Sequence, residues 1–280
     1  MTVQESQVNV KKNTGELEPF DPEKLINALQ RSGAGKHEID AVMDQVTSSL
    51  YEGITTKKIY QLAYRILSKI SKRTAGRYRL KKALYQLGPS GFPFEFFVAR
   101  LLEFEGYTVQ TGQSVQGKCV THEVDVVARH VGKLLMAECK FHNSNTAKSD
   151  VKVSLYVHAR FRDIRENHTR EKENKGIAFE SLLITNTRFT SDAVQYGKCT
   201  GMKLISWDYP GGKGLRDWID RAGFHPITAM KSLTNREKKK LLNKGIVLCR
   251  EIAENPFLMD ELAIPERRLK AIIKEAGAMI

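Results

Sequence analysis

The chain has few cysteines, and none of them are close together. Four occur in its 280 residues, and no two form a CxxC pair. Their spacing argues against a zinc ribbon and against a disulfide framework. The first twenty residues have no apolar core typical of a signal peptide, and no apolar run is long enough to span a membrane. The sequence therefore predicts a cytoplasmic protein with no membrane partner.

The phosphate-binding sequence GxxxxGK[ST] is also missing, so hydrolysis of a bound nucleotide is not expected. Positive charge, in contrast, is abundant, because 45 Lys and Arg residues against 32 Asp and Glu residues give a net charge of +13. Such a balance favours a polyanionic partner, since basic grooves gain affinity from phosphate contacts and counterion release. The alternative is a basic protein that binds no polyanion.

The length predicts two or three domains, and the pattern separates three blocks, 1–88, 89–228 and 229–280. The first begins with alternating residues and a turn, typical of a β-hairpin, and continues as helices. Asp21 followed by Pro22 predicts a helix start, and Thr55 or Thr56 is expected to cap a later helix.

The second block opens after a segment rich in Gly and Pro that reads as a linker. An apolar helix over 94–105 is followed by strand-like runs, a charged helix over 146–166 and two further strands. This order predicts an α/β sandwich with a mixed sheet. The third block is helical and basic. The fold class predicted for the chain is therefore multidomain: a helical domain with a hairpin, an α/β sandwich and a small all-α domain.

The centre of the second block predicts a hairpin. If 130–133 form its loop, Arg129 pairs with Leu134 and Asp125 lies opposite Glu138. Alternation along the strand places Lys140 on the same face as Glu138. Mg²⁺ or Mn²⁺ prefers such carboxylate oxygens together with substrate phosphate oxygens. The pattern therefore predicts a metal-dependent phosphodiesterase site in which Asp125 and Glu138 hold the metal.

The alternative for these residues alone is a half-exposed hairpin with a cross-strand ion pair. The longer stretch GFPFEFFVARLLEFEGYTV, then HEVDVVAR and LLMAECKF, resembles the catalytic domain of Mrr-type restriction endonucleases in the PD-(D/E)xK superfamily. The resemblance continues through LLITNTRFTSDAVQYGKCTGMKLISWD and covers about half the chain. It implies a restriction-endonuclease-like fold, with Glu95 as a third catalytic acidic residue beside Asp125, Glu138 and Lys140. Where many Mrr domains have QxK, this chain has Glu138-Cys139-Lys140. The entry to the strand, His122 and Glu123, either joins the site or is exposed.

The start of the chain, VKKNTGELEPFDPEKL, resembles the ATP-cone, a nucleotide-sensing module of ribonucleotide reductases. Gly53-Ile54-Thr55-Thr56-Lys57-Lys58-Ile59 and Ala75-Gly76-Arg77-Tyr78-Arg79 continue the match. The resemblance implies a site for ATP or dATP, because lysines beside helix starts can hold a triphosphate. Six candidate ligands follow from it: Lys12, Asn13, Glu18, Lys24, Thr56 and Tyr60. Lys12 and Lys24 would take phosphates, while Thr56 and Tyr60 would border the base or ribose. The alternative is a small basic domain that uses its lysines for solubility or DNA contact.

The third block resembles tandem helix-hairpin-helix segments, in which a turn offers backbone N–H groups to DNA phosphates. Lys244-Gly245-Ile246 fits the first turn, and Ala263 stands where the second has Gly. Five basic residues would add phosphate contacts: Lys238, Lys239, Lys240, Arg267 and Arg268. The alternative is a basic bundle used for packing or dimerisation.

Together these expectations describe a Mg²⁺-dependent endonuclease acting on DNA, regulated by ATP or dATP and serving restriction, defence or DNA repair. A homo-oligomer is compatible with this reading. The alternative from another class is a nucleotide-responsive DNA-binding regulator without catalysis.

Overall fold

The computed structural model describes residues 8–12, 14–144, 146–170 and 174–280. The chain divides near Leu80 and Lys81 into two compact units. In the described ranges, every helix is too short or too polar to cross a membrane.

The first unit is a small three-stranded sheet with helices. Its elements in chain order are β1 (Asn9–Lys11), β2 (Leu17–Pro19), α1 (Pro22–Arg31), α2 (Lys36–Thr47), β3 (Ile54–Thr55), α3 (Thr56–Ile70) and α4 (Lys72–Tyr78). Strand β1 is central, antiparallel to β2 and parallel to β3. The predicted hairpin is therefore present. Strand β3 has two residues, which is too short for a sequence pattern to predict it.

Capping residues fix where the helices of this unit begin. The side chain of Asp21 accepts a 3.0 Å hydrogen bond from the N–H of Glu23, so α1 starts at Pro22 as predicted. Thr55 rather than Thr56 caps α3, because its hydroxyl accepts from the N–H of Lys58 at 3.2 Å. The apolar faces of these helices then meet in one buried cluster.

The second unit is larger and contains the main sheet. After α5 (Leu80–Tyr85), its helices are α6 (Phe92–Phe104), α7 (Val151–His168), α8 (Ser191–Thr200), α9 (Leu215–Ala222), α10 (Asn235–Asn243), α11 (Cys249–Glu254) and α12 (Glu266–Gly277). Its strands are β4 (Thr108–Gln116), β5 (Thr121–His130), β6 (Lys133–Lys140), β7 (Lys148–Ser149), β8 (Ala178–Thr185), β9 (Arg188–Phe189) and β10 (Lys203–Ile205).

The five-stranded sheet has the order β10-β8-β6-β5-β4. Strands β4, β5 and β6 are antiparallel neighbours, whereas β6, β8 and β10 run parallel. The predicted mixed sheet is therefore confirmed. Arg129 pairs with Leu134 as predicted, but His130 also pairs with Lys133. The turn is thus two residues long, Val131 and Gly132, and Gly132 has the positive φ of 69° that such a turn favours.

Helices cover both faces of this sheet. On one face, Leu134 and Met136 of β6 share a buried cluster with Val157 and Phe161 of α7. On the other face, Leu102 of α6 and Trp218 of α9 border the same cavity as Leu135 and Leu182. Because β6 is covered on both faces, its middle residues are apolar, and the polar Glu138 and Lys140 lie at its carboxyl end.

The block 229–280 is predicted as a separate domain, but its residues 229–278 belong to the second unit. The hydroxyl of Thr228 donates to the backbone oxygen of Ala83 at 2.7 Å. Arg100 of α6 donates to Glu251 of α11 at 2.9 Å. The predicted division at 88/89 also differs from the boundary between the units, because Ala83, Leu84 and Leu87 are buried in the second one.

Candidate functional site

The carboxyl end of β6 carries the predicted catalytic triplet. Regular pairing between β5 and β6 ends at Val126 and Ala137. Asp125 and Glu138 follow this last pair directly, and the charges of Glu138 and Lys140 both act on the Asp125 carboxyl. The structure thus brings Asp125, Glu138 and Lys140 together at one sheet edge.

Asp125 is held in place by the opposite strand. Its Oδ2 accepts a 2.7 Å hydrogen bond from the backbone N–H of Cys139. Burial and the negative charge of Glu138 raise the pKa of Asp125 to about 6. This carboxyl is therefore fixed in position and is costly to ionise in the absence of a further positive charge.

Glu138 lies at the centre of the charges. Only 4% of this residue is exposed, and each carboxylate oxygen has its own cation. Lys140 Nζ lies 2.9 Å from Oε1, and Arg160 of α7 donates to Oε2 at 2.8 Å. Sequence reasoning missed Arg160, because the periodicity of α7 does not show which of its residues reaches the sheet.

Glu95 belongs to the same electrostatic cluster. Its pKa is raised to about 7, first by burial and then by the charges of Asp125 and Glu138, while Lys140 lowers it. These influences show that the predicted third acidic residue lies near the other two. If all three carboxyls are ionised, they carry three negative charges against the two positive charges of Lys140 and Arg160, which leaves a net charge of −1.

This donor set fits a magnesium-type ion. Within the described ranges, no three or more His, Cys, Asp or Glu side chains are arranged as a ready cation cage. Mg²⁺ does not need such a cage, because it usually keeps several waters and takes one or two protein carboxylates plus substrate phosphates. Burial first, and neighbouring negative charge second, raise the pKa values of Asp125 and Glu95. A bound divalent cation would favour the ionised form of both carboxyls.

The two residues at the start of β5 have other roles. His122 Nε2 lies 2.9 Å from Asp163 of α7, and Asp163 also accepts from the backbone N–H groups of Cys119 and Val120. These contacts fasten the β4–β5 turn to α7. Glu123 is exposed, which agrees with the second of the two alternatives expected at the start of this strand.

Four of the six predicted nucleotide ligands share one cavity in the first unit. Glu18, Lys24, Thr56 and Tyr60 line a space of about 160 Å³. Tyr78, which sequence reasoning did not choose as a ligand, lines it too, and its ring stacks on Tyr60 with centroids 4.9 Å apart. The family motif around Tyr78 was the available signal for it.

The lysines of this unit converge on one carboxylate. Lys12 Nζ lies 2.7 Å from Glu18 Oε2, and Lys24 Nζ lies 3.5 Å from Glu18 Oε1. Lys12 is therefore linked to the cavity through its ion pair with Glu18. Asn13, the sixth predicted ligand, lies outside the described residues.

The first predicted DNA-binding turn of the carboxy-terminal region is wrong. Gly245 to Cys249 are all buried. The N–H groups of Val247 and Leu248 donate to Glu251 Oε2, each at 2.8 Å. A carboxylate thus occupies the donors that a phosphate would need.

Two of the five predicted phosphate-binding residues form hydrogen bonds within the protein. Arg268 donates to both carboxylate oxygens of Glu237, at 2.9 and 3.0 Å. Lys238 donates to the backbone oxygen of Thr228 at 3.3 Å. Lys239, Lys240 and Arg267 are exposed. At the second turn, Ala263 has the left-handed conformation that favours Gly, with a φ of 48°.

Two family models match parts of the chain. Residues 8–84 match the ATP cone domain, so the resemblance of the first unit to this module is confirmed. Residues 225–280 match a model described as AF1548-like, C-terminal.

Known relatives cover most of the chain. An uncharacterised protein of Archaeoglobus fulgidus is 33% identical over 184 residues, which span 65% of this chain and 99% of that protein. The crystal structure of the protein of unknown function AF1548 is 32% identical, with a TM-score of 0.56, and covers 67% of this chain and 97% of its own.

A third comparison is distant. The MspJI restriction endonuclease in complex with a 27-mer oligonucleotide has 12% identity and a TM-score of 0.33, covering 62% of this chain and 36% of that one. A similarity at this level does not bear on function.

Proposed function

We propose that this chain, which belongs to the AF1548-like family, is a divalent-metal-dependent deoxyribonuclease whose activity is regulated by ATP or dATP. The observation that carries the proposal is the meeting of Asp125, Glu138 and Lys140 at one sheet edge, with Glu95 and Arg160 beside them. The mixed sheet with helices on both faces suits the restriction-endonuclease-like fold expected from the sequence.

Asp125 and Glu138 would hold Mg²⁺ or Mn²⁺. When bound, such an ion polarises the phosphoryl group and makes water acidic enough to supply a nucleophile. The hydrogen bond from Cys139 fixes the direction of the Asp125 carboxylate, and the two cations fix that of Glu138. The chain therefore presents both carboxylates in a prearranged position.

Lys140 and Arg160 would act on the phosphate itself. Lys140 is the more accessible of the two, since 36% of its side chain is exposed. It can turn its ammonium group toward an attacking water or a phosphate oxygen. Arg160 is held deeper and offers several parallel N–H donors, which suit the charge that builds up on phosphate oxygens during displacement.

A plain cross-strand ion pair explains less of this geometry. That alternative predicts a half-exposed hairpin, whereas Glu138 is buried and binds two cations. It also gives no reason for Glu95 to share the site. Converging carboxylates with raised pKa values are typical of functional sites.

Plasmid cleavage tests the proposal. Wild-type protein with Mg²⁺ should convert supercoiled DNA into nicked or linear forms, and an RNA of the same sequence serves as the substrate control. Asp125→Asn and Glu138→Gln should abolish cleavage while DNA binding persists. Glu123→Gln is the matched control, because this exposed carboxylate lies on the same strand two residues from Asp125. Cleavage by Asp125→Asn at the wild-type rate would refute the assignment.

Regulation is proposed from the ATP-cone unit. A nucleotide can change activity only through its different affinities for two states of the protein, a coupling of about 1–3 kcal/mol in typical cases. Linkage then requires DNA to change the affinity for ATP by the same factor. Both affinities can be measured with Ca²⁺ in place of Mg²⁺, so that the DNA stays intact. Cleavage that ignores ATP and dATP would remove the regulation and leave the nuclease proposal standing.

A further inference from the structure

Three parallel strands end at the same sheet edge as the catalytic cluster. Lys140, the last residue of β6, pairs in register with Thr185, the last residue of β8. Ile205, which ends β10, pairs with Ile184 of β8. Ligands of open α/β sheets bind at the carboxyl ends of parallel strands. The residues that follow β8 and β10 are therefore the ones a long substrate would meet next.

Those residues bring three cations together. Arg188 lies three residues beyond Thr185, and the backbone N–H of Trp207 donates to Thr187 at 3.1 Å. The N–H of Arg216 in turn donates to the oxygen of Trp207 at 3.1 Å. Lys81 Nζ lies 5.4 Å from the centre of the Trp207 ring. We call Lys81, Arg188 and Arg216 the cationic edge.

The charges of the cationic edge are only partly neutralised. Asp208 lies 3.6 Å from Arg188, and Asp217 lies 3.1 Å from Arg216. Asp217 also accepts from the N–H of Gly214 at the start of α9, so its charge serves that helix as well. Three cations therefore face two carboxylates. Burial is the first cause that lowers the pKa of Lys81, and the charges of Arg188 and Arg216 lower it further while Asp208 opposes them.

We propose that the cationic edge binds the phosphodiester backbone of the DNA strand that passes through the Asp125–Glu138 site. This inference rests on the proposed function and names a surface by which the substrate is held. A backbone phosphate would replace the repulsion among the three cations with attraction. The side chains of Arg188 and Arg216 are 58% and 32% exposed, so both can reach such a phosphate. Contacts of this kind position the strand and carry no sequence preference.

The test is DNA binding without metal, so that no cleavage occurs. A triple variant, Lys81→Gln, Arg188→Gln and Arg216→Gln, keeps the aliphatic stems and removes three charges. The matched control removes three cations from the opposite edge, where β6 and β10 begin: Arg129→Gln, Lys133→Gln and Lys203→Gln. Both variants have the same net charge, so the comparison isolates position from total charge. A labelled duplex and fluorescence anisotropy at several salt concentrations give the affinities.

Loss of the cationic edge should weaken binding on the order of 10²-fold at low salt and flatten the log–log salt slope by about 0.9 for each lost contact. The control should keep most of the affinity and slope of the wild type. Equal effects of the two triple variants would overturn the inference, since only total charge would then matter. Displacement of DNA by inorganic phosphate at constant ionic strength would also overturn it, because the edge would then bind a free anion.

The two proposals can fail separately. If the wild type cleaves DNA and the triple variant binds and cleaves equally well, the cationic edge is wrong and the nuclease proposal stands. If the triple variant loses binding and the wild type cuts nothing, the edge is a DNA-binding surface and the nuclease proposal fails. Wild-type protein that binds no DNA refutes the cationic edge.

Discussion

The backbone N–H of Cys139 donates to the Asp125 carboxylate at 2.7 Å, just beyond the last regular pair of β5 and β6. An asparagine at position 125 can accept the same hydrogen bond through its amide oxygen but carries no charge.

Asp125→Asn should therefore fold as the wild type does and lose metal-dependent cleavage by about 10²-fold or more, since a metal contributes several kcal/mol to such a reaction. Thermal unfolding measures whether the fold is retained, and plasmid nicking measures the loss of cleavage. A variant that loses both stability and activity would show that Asp125 is mainly structural.

Removal of Arg160 should lower stability strongly. Its side chain is 11% exposed and pairs with a carboxylate that is 5% exposed. Arg160→Leu leaves Glu138 with one cation, and breaking a buried pair from one side costs about 3–5 kcal/mol. Urea unfolding measures the loss.

Two further variants separate charge pairing from general damage. Arg160→Leu combined with Glu138→Leu should regain much of the stability and none of the activity, because both buried charges are gone. Arg162→Leu is the matched control, since Arg162 is 72% exposed and its pair with Glu166 should contribute about 1 kcal/mol or less. Similar losses for Arg160→Leu and Arg162→Leu would contradict the assignment.

Nucleotide binding should depend on the two lysines that flank Glu18. Lys12→Ala with Lys24→Ala removes both cations that approach this carboxylate. The double variant should show no heat of binding with ATP or dATP and an activity that no longer responds to either nucleotide. Lys57→Ala with Lys69→Ala removes the same charge from exposed positions of α3 and should bind normally. Undiminished binding by the first variant would remove both lysines from the site.

Ala263 is expected to limit the stability of the carboxy-terminal region. With φ 48° and ψ 45° it ends a 3-10 turn in the left-handed region, which costs a residue with a Cβ atom about 1–2 kcal/mol. Ala263→Gly should raise the free energy of unfolding by roughly 0.5–1 kcal/mol after the entropy that Gly adds to the unfolded chain. Gly245→Ala, at a φ of 75°, should do the opposite. A destabilising Ala263→Gly would mean that the strain is absent.

Acid should weaken the same region through Glu237. The hydrogen bonds from Arg268, aided by the N–H of Thr234, lower the pKa of Glu237 to about 2 from an ordinary 4.5. A depressed folded-state pKa gives stability that is present above 4.5 and lost as the pH falls toward 2. Glu237→Gln should therefore be less stable than wild type at neutral pH, and the difference in Tm should shrink as the pH falls from 5 to 2. A constant difference would contradict the linkage.

The hairpin register could be predicted because its determinants are local. The short turn at Gly132 sets the pairing of the apolar runs on either side of it, and that pairing brings Asp125 close to Glu138. The loop came out two residues shorter than expected with no change of register, because His130 and Lys133 simply extend the ladder.

Arg160 and the buried turn at Gly245 could not be predicted in the same way. Arg160 meets Glu138 across 22 positions of sequence, and a helix pattern does not reveal which turn faces a strand end. At Gly245, the local motif matched a DNA-binding hairpin, while burial depends on packing against residues 225–227. The carboxylate of Glu251 accepts from the N–H groups of Val247 and Leu248, but Leu248 has no side-chain oxygen that would mark a capping box in the sequence.

The two-residue turn before β6 limits how the length of this hairpin can vary during evolution. Glu138 and Lys140 share a face only because Cys139 separates them, so a shift of β6 by one position would exchange the acidic face for the apolar one. An odd insertion within the strand would turn Glu138 and Lys140 toward the layer of Leu135 and Ala137 and bring Cys139 to the reaction centre. Length variation among descendants of this protein should therefore collect in the turn at Val131 and Gly132, where added residues leave the alternation of both strands intact.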